Sequence, residues 1–301
     1  DPRPGLPDGT LASRVPLVHI GAALPERQPT SCLPLVRLEG AGRHSGIFGG
    51  IAVIQDYPVS EQPTWRLIAQ EALGVAAAAV LFPFGIRRSQ RRTPRQRDQR
   101  TVVLVHGYLA NRSTLFPLAA YLQLRGIKQI LSFNYDSGAG VEPAALALRE
   151  YLRRHVRGGR IDLVCHSLGG LVARVYIQEL GGWRRVDRCI TLGTPHRGTY
   201  GSYWVWSRVG HDLRPDSSLL SRLHASRRNA SGVRFVSLIA GSDNLVVPRV
   251  FAVHDHEVHL ADLGHVSMLF SPRALRVVAD HLTTPPLPIS PCHGETQRAR
   301  G

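Results

Sequence analysis

Three residues that could together perform nucleophilic catalysis occur in one order along the chain, each after a segment typical of a buried strand. Ser167 ends the apolar run RIDLVCHS directly before a helical pattern, and Asp243 and His265 each follow a later apolar run. A strand that turns sharply into a helix at a serine exposes the hydroxyl, and a histidine held by a carboxylate can accept its proton. We therefore predict a catalytic triad in which Ser167 is the nucleophile, His265 the base and Asp243 the acid.

Other histidines and acids compete for these roles, because the chain contains 14 histidines and 22 acidic residues. The competitors lie before or inside a predicted strand, or do not directly follow one: His254, His256, His259, Asp216 and Asp255. A residue that follows a parallel strand is carried to the edge where an open sheet binds its ligands. This position favours Asp243 and His265 over the alternatives.

The residues around Ser167 suit a tight turn. Gly169 is small enough to lie beside the serine, whereas Cys165 stands two residues before it, where glycine is usual. The alternative interpretation is an ordinary serine that caps a helix. If the turn is catalytic, the backbone N–H groups of Tyr108 and Leu168 are the predicted oxyanion hole, and His106 is expected to have a structural hydrogen-bonding role.

The elements that must position these residues alternate between strand and helix patterns from Thr101 to Leu282. The strand patterns are 101–107, 128–135, 160–167, 188–195, 233–243 and 256–265, and the helix patterns are 113–124, 142–156, 168–180 and 272–282. Alternation of this kind predicts an α/β fold whose mainly parallel sheet has helices on both faces.

Five segments carry a resemblance to a known family: VHGYLANRSTLF, HSLGGLVAR, TLGTPHRGT, GSDNLVVP and LGHVSMLFSP. Together they resemble the α/β-hydrolase superfamily, in particular the bacterial lipase and esterase branch related to triacylglycerol lipases. The resemblance implies that residues 101–285 form an α/β-hydrolase domain with a short cap or lid. It also implies hydrolysis of carboxylic esters, such as lipids or acylglycerols, through an acyl-enzyme without a metal or organic cofactor.

Two other functions stay open at this point. An acyltransferase or thioesterase could use the same triad, since it differs in the acyl acceptor or the leaving group. A non-catalytic, membrane-tethered binding module could keep the fold, although such a module has no need of all three triad residues.

The predicted cap contains four aromatic residues in one short stretch, Tyr200, Tyr203, Trp204 and Trp206. They could simply pack on the sheet. Alternatively, they could form an acyl-chain pocket or a lid that seeks a lipid interface, because aromatic rings suit the boundary between water and lipid.

The most apolar segment of the chain precedes the predicted hydrolase domain, at residues 65–86. It could be a membrane-associated helix or a helix packed on that domain, because Gln70, Glu71 and Pro83 interrupt the apolar run. The linker at 87–100 holds seven arginines and one aspartate, a net charge of +6 within a chain total of +15. It lacks the aromatic residues that stack on bases, so nucleic-acid binding is not expected, whereas a membrane surface is a candidate partner.

The remaining segments carry little functional signal. Residues 1–64 are rich in proline and glycine, and residues 286–301 are expected to form a flexible tail. Cys165 and Cys189 are expected on neighbouring strands but offset by roughly 13 Å at ~3.3 Å per residue, which excludes a disulfide. Reduced thiols fit an enzyme in the cytoplasm or on the cytoplasmic face of a membrane.

Overall fold

The computed structural model describes residues 60–86, 100–246 and 256–284 of the chain. The N-terminal segment up to residue 59, the arginine-rich linker at 87–99 and the tail at 286–301 lie outside the described residues. His254 and Asp255, two of the competing residues, also lie outside them.

Six strands form one sheet at the centre of the described residues. The strands are β1 (Thr101–Val105), β2 (Ile130–Phe133), β3 (Ile161–His166), β4 (Val186–Leu192), β5 (Arg234–Ala240) and β6 (His256–Leu260). Their spatial order is β2-β1-β3-β4-β5-β6, and all five pairings are parallel. The loops after the strands therefore meet at one edge of the sheet, which is the edge predicted to carry the chemistry.

Helices cover both faces of this sheet. They are α1 (Thr64–Ile86), α2 (Phe116–Leu124), α3 (Val141–His155), α4 (Leu168–Glu179), α5 (Arg208–Asp212), α6 (Ser218–Ala225) and α7 (Pro272–Thr283). Short 3₁₀ turns occur at Arg112–Leu115, Gly182–Arg184, Tyr200–Trp204, Ser226–Ala230 and Ser267–Leu269. One core lies between the sheet and α3, α4 and α6, and a second lies between the sheet and α2 and α7.

The alternation of side chains along the strands explains why both faces are apolar. In β1, Val103 and Val105 enter the first core, whereas Val102 and Leu104 enter the second. A strand buried on both faces reads as a continuous apolar run, as TVVLV does. The predicted α/β-hydrolase architecture is therefore confirmed.

The predicted offset between the two central cysteines is wrong. β4 begins at Val186, three residues before Cys189, so Cys189 pairs with Leu163 while Cys165 pairs with Thr191. The two thiols are close enough to hydrogen-bond, and burial, followed by this contact, raises the pKa of Cys165. Both cysteines are free in the structure.

Candidate active site

The backbone at Ser167 has an unusual conformation for a residue with a side chain. Ser167 lies between the end of β3 and the start of α4, with φ of 50° and ψ of −122°. A positive φ is costly outside glycine and persists only where the surroundings enforce it. A Cβ at Gly169 would lie 2.6 Å from the carbonyl oxygen of His106, and one at Gly107 would lie 3.0 Å from Cβ of Ser167. Two glycines thus allow the sharp turn that isolates the serine hydroxyl.

Asp243 and His265 form a short hydrogen bond beside this turn. Nδ1 of His265 donates to Oδ2 of Asp243 at 2.6 Å. The other oxygen, Oδ1, accepts the backbone N–H groups of Leu245 at 2.8 Å and Val246 at 2.9 Å. The carboxylate is fully buried, so it holds the imidazole in the tautomer that leaves Nε2 as a proton acceptor.

The described competitors are engaged elsewhere. Asp216 accepts a hydrogen bond from the hydroxyl of Tyr203 at 3.2 Å. His259 faces Glu257 at 3.4 Å within β6, and the ring of His256 lies against His281. The structure therefore pairs Asp243, rather than Asp216, with His265.

Ser167 and His265 line the same cavity, which has a volume of about 740 Å³. Most of the lining is apolar and comes from three places: α1, the loop after β1, and the segment around the 3₁₀ turn Tyr200–Trp204. Ligand cavities commonly range from about 300 to 1,000 Å³ and combine apolar walls with a few polar groups. Within the described ranges, no cluster of three or more metal-ligating side chains could hold a metal ion.

The predicted oxyanion donors flank the nucleophile. Tyr108 lines the cavity, and Leu168 is the first residue of α4, where the helix dipole favours negative charge. Neither backbone N–H has an acceptor within the described part of the chain. The next residue, Leu109, also has a positive φ of 52°, and its N–H donates to Oγ of Ser137 at 3.0 Å. This contact fixes the loop that carries Tyr108.

Two buried histidines near the triad are neutral structural groups. His166 donates from Nε2 to the carbonyl oxygen of His265 at 3.0 Å, and burial together with the nearby His265 lowers its pKa to about 3. Burial lowers the pKa of His106 to about 4, and its ring lies between the carbonyl of Gly107 and the N–H of Tyr135. The expected structural role of His106 fits these contacts, whereas His166 was given no role from the sequence.

Glu71 of α1 contacts the loop that carries His265, and sequence reasoning missed this. Its carboxylate accepts the N–H of Val266 at 2.7 Å and that of Ser267 at 3.0 Å. A Cβ at Gly74, one turn further along α1, would lie 2.9 Å from Cα of Ser267. An acidic side chain within an apolar helix needs a hydrogen-bonding partner where it is buried. The presence of Glu71 in this apolar segment was therefore the signal in the sequence for a contact of this kind.

The other end of α1 contacts the loop that carries Tyr108. Asn111 donates from Nδ2 to the carbonyl of Phe82 at 2.9 Å, while its Oδ1 accepts the N–H of Ser113. A Cβ at Gly85 would overlap the side chain of Asn111, which would then have to move. α1 is therefore fixed both to the loop of His265 and to the loop of Tyr108.

The cap aromatics do not pack on the sheet, so that interpretation is wrong for the described structure. Trp204 and Trp206 are 85% and 96% exposed. Their small neighbours line the cavity instead, among them Ser202 and Val205. The cap, taken as the segment from His196 to Leu223, is anchored by the buried Arg174 of α4. The guanidinium of Arg174 donates to the main-chain carbonyls of His196 and Leu223.

Comparisons with known proteins agree with this fold. A family model described as palmitoyl protein thioesterase matches residues 102–249, just under half of the chain. The mature lipase BlEst2 from Bacillus licheniformis has a TM-score of 0.56 at 15% identity, covering 65% of this chain and 96% of that chain. The lin2722 product from Listeria innocua has a TM-score of 0.51 at 14% identity, covering 64% and 96%. At such identities the structural likeness concerns the fold.

The chain is therefore a member of the α/β-hydrolase superfamily, as its five segments predict. The matching family model supports an ester-hydrolysing member of this superfamily.

Substitution of Glu71 tests whether α1 positions His265, the predicted base. In Glu71→Gln, one of the two acceptors and the negative charge are lost, so the loop of His265 is held less firmly. We expect kcat for a soluble ester to fall roughly tenfold, ~1.4 kcal/mol in the barrier, with KM nearly unchanged. Glu61→Gln is the control, because Glu61 is exposed just before α1. A kcat equal to that of the control would show that Glu71 positions nothing.

Because His166 and His106 are buried in the neutral form, we predict that the free energy of unfolding depends on pH. Their folded pKa values, about 3 for His166 and about 4 for His106, lie below the unfolded value of about 6.5. The unfolded state therefore binds more protons in this window, and the free energy of unfolding falls as the pH falls from about 6.5 toward 4. Each histidine contributes at most about 1.4 kcal/mol per pH unit.

Urea unfolding at a series of pH values measures this slope. His106→Asn should flatten it relative to the wild type, whereas the exposed control His224→Asn should not. Identical slopes in all three proteins would contradict the neutral, buried state of His106.

Proposed function

We propose that the chain hydrolyses carboxylic esters of long, apolar acyl groups through an acyl-enzyme on Ser167, with His265 as the base and Asp243 as its orienting acid. The observation that carries this proposal is the combination of a positive φ at Ser167 with the 2.6 Å contact between His265 and Asp243 at one cavity. A serine that merely caps a helix has extended backbone and does not need a positive φ.

Acylation follows from the arrangement of the three side chains. Oγ of Ser167 attacks the carbonyl carbon of the ester while Nε2 of His265 accepts the hydroxyl proton, and the carbonyl π electrons move to oxygen. The N–H groups of Tyr108 and Leu168 stabilise this oxyanion. When the tetrahedral species collapses, the bond to the leaving oxygen or sulfur breaks, and the leaving group takes the proton from His265.

Deacylation repeats the same steps with water. His265 removes a proton from a water molecule as its oxygen attacks the acyl carbon, and the second tetrahedral species releases the carboxylic acid. The proton on His265 then returns to Oγ of Ser167, which restores the enzyme. Asp243 stabilises the imidazolium that forms in each half-reaction.

The cavity supports an apolar acyl chain as the preferred part of the substrate. Val75, Ala78 and Phe82 of α1 line the cavity of Ser167 together with Leu213 and Leu269. Each buried methylene gains about 0.8 kcal/mol when it leaves water. An acyl chain therefore binds more tightly as it lengthens, until the apolar wall ends.

A thioester is the second candidate substrate, and one observation favours it. The matching family model is described as palmitoyl protein thioesterase, and its range of 102–249 includes Ser167 and Asp243. Oxygen esters and thioesters share the acyl half and the triad chemistry, so the leaving group alone distinguishes them. An acyltransferase would also share the first half-reaction. It would differ in the second, where another acyl acceptor takes the place of water.

Kinetics with p-nitrophenyl esters from acetate to palmitate, and with the matching acyl thioesters, test the proposal. Ser167→Ala should keep the fold and lose roughly 10⁴–10⁶ in kcat, because only Oγ is removed. Ser242→Ala serves as the control, since its hydroxyl donates to the carbonyl of Ala261. Activity of Ser167→Ala within about tenfold of the wild type would contradict the assignment of the nucleophile.

A further inference from the structure

The polarity of α1 is reversed relative to a helix that packs on a water-soluble domain. A surface helix normally turns its apolar stripe inward and its polar side chains outward. In α1 the polar residues Gln70 and Glu71 lie on the inner, partly buried face, whereas every exposed position from Ile68 to Ile86 is apolar. The outer face is therefore an extended apolar surface with no polar side chain to solvate it.

The length of α1 would allow it to cross a membrane, but its contacts oppose this orientation. It is the one described helix that is long and apolar enough to span, with a mean hydropathy of 1.8. It is nevertheless held along the catalytic domain at both ends, by Glu71 and Gly74 against the loop of His265 and by Phe82 and Gly85 against Asn111. A spanning orientation would break these contacts and bury the Glu71 carboxylate without its partners.

The apolar surface continues into the rim of the active-site cavity. Four large apolar residues line the cavity and are also exposed: Val75, Phe82, Leu109 and Leu245. The exposed side chains of Trp204 and Trp206 flank Val205, which lines the same cavity. The outer face of α1, the rim and the two tryptophans are called the apolar face below.

We propose that the apolar face docks on an anionic lipid leaflet, with α1 lying in the plane of the membrane as a non-spanning helix. The charge of the chain favours such a surface, because α1 is followed in sequence by an arginine-rich stretch with a net charge of +6, and Arg66 lies at its start. An apolar face combined with a basic segment provides the two signals that stable attachment requires.

Docking in this orientation places the cavity rim at the lipid. An acyl chain then passes from the leaflet to Ser167 along Val75 and Phe82 without crossing water, so desolvation of the chain is avoided. This second part of the inference rests on the proposed function. The docking itself depends only on the reversed polarity of α1, the contacts that hold it, and the charge.

Vesicle flotation of the full chain tests the docking. The variant Leu73→Gln/Val80→Gln changes two outer-face residues that are 72% and 70% exposed and do not line the cavity. The matched control Leu124→Gln/Leu146→Gln changes two exposed leucines of α2 and α3. We expect the wild type and the control to float with phosphatidylcholine–phosphatidylglycerol vesicles. The outer-face variant should partition at least roughly tenfold less.

Activity measurements separate this proposal from the proposed function. All three proteins should hydrolyse a soluble short-chain ester equally, whereas the outer-face variant alone should lose activity on esters presented in vesicles. No hydrolysis of the soluble ester by any protein would overturn the proposed function and leave the flotation result valid. Equal flotation of the variant and the wild type would overturn the docking.

Nitroxide labels distinguish an in-plane helix from a spanning one. Cysteines introduced by Ile68→Cys, Leu73→Cys, Val80→Cys or Phe84→Cys, in a Cys32→Ser/Cys292→Ser background, can be labelled because Cys165 and Cys189 are buried. Similar shallow depths at all four positions support the in-plane helix. A maximum depth at the two central positions would show a spanning helix and overturn the proposal. A lipid-free dimer that the outer-face variant dissociates, without vesicle binding by the wild type, would show that a second copy covers the face instead.

Discussion

The turn at Ser167 is the constraint on which the rest of the site depends. Its positive φ is stable only because Gly107 and Gly169 leave room for two neighbouring strands and a helix to approach the serine closely. The same turn places the N-terminus of α4 beside the hydroxyl, so the proposed nucleophile and one proposed oxyanion donor come from the adjacent residues Ser167 and Leu168. The parallel sheet then needs only to bring the loops after β5 and β6 to the same edge, where Asp243 and His265 meet.

α1 connects the two other parts of the site. Through Glu71 it holds the loop of His265, and through the carbonyl of Phe82 it holds Asn111 in the loop that carries Tyr108. Between these two contacts it forms a wall of the cavity. A helix outside the hydrolase core is thus attached to the loops that carry His265 and Tyr108, so under the proposed function movement of α1 alters the geometry of the triad as well as the cavity.

The parts of the structure that depend on local pattern could be predicted from the sequence. The strand runs, the turn at Ser167 and the order of Asp243 and His265 all lie in short segments with clear periodicity. Glu71 could not be assigned, because its partners lie 195 and 196 residues away. The offset of Cys165 and Cys189 was wrong because no residue type marks the start of β4 at Val186. The domain boundaries and the cytoplasmic location stay predictions.

Covalent labelling tests the central claim, that Ser167 is the nucleophile of an acyl-chain hydrolase, most directly. The full chain is incubated with a long-chain alkyl phosphonate ester, digested, and analysed by mass spectrometry to locate the adduct. The geometry of the turn and the His265–Asp243 pair predicts a single phosphonylated peptide, modified at Ser167, which forms faster as the alkyl chain lengthens. An adduct on another residue, or no adduct on the folded protein, would contradict it.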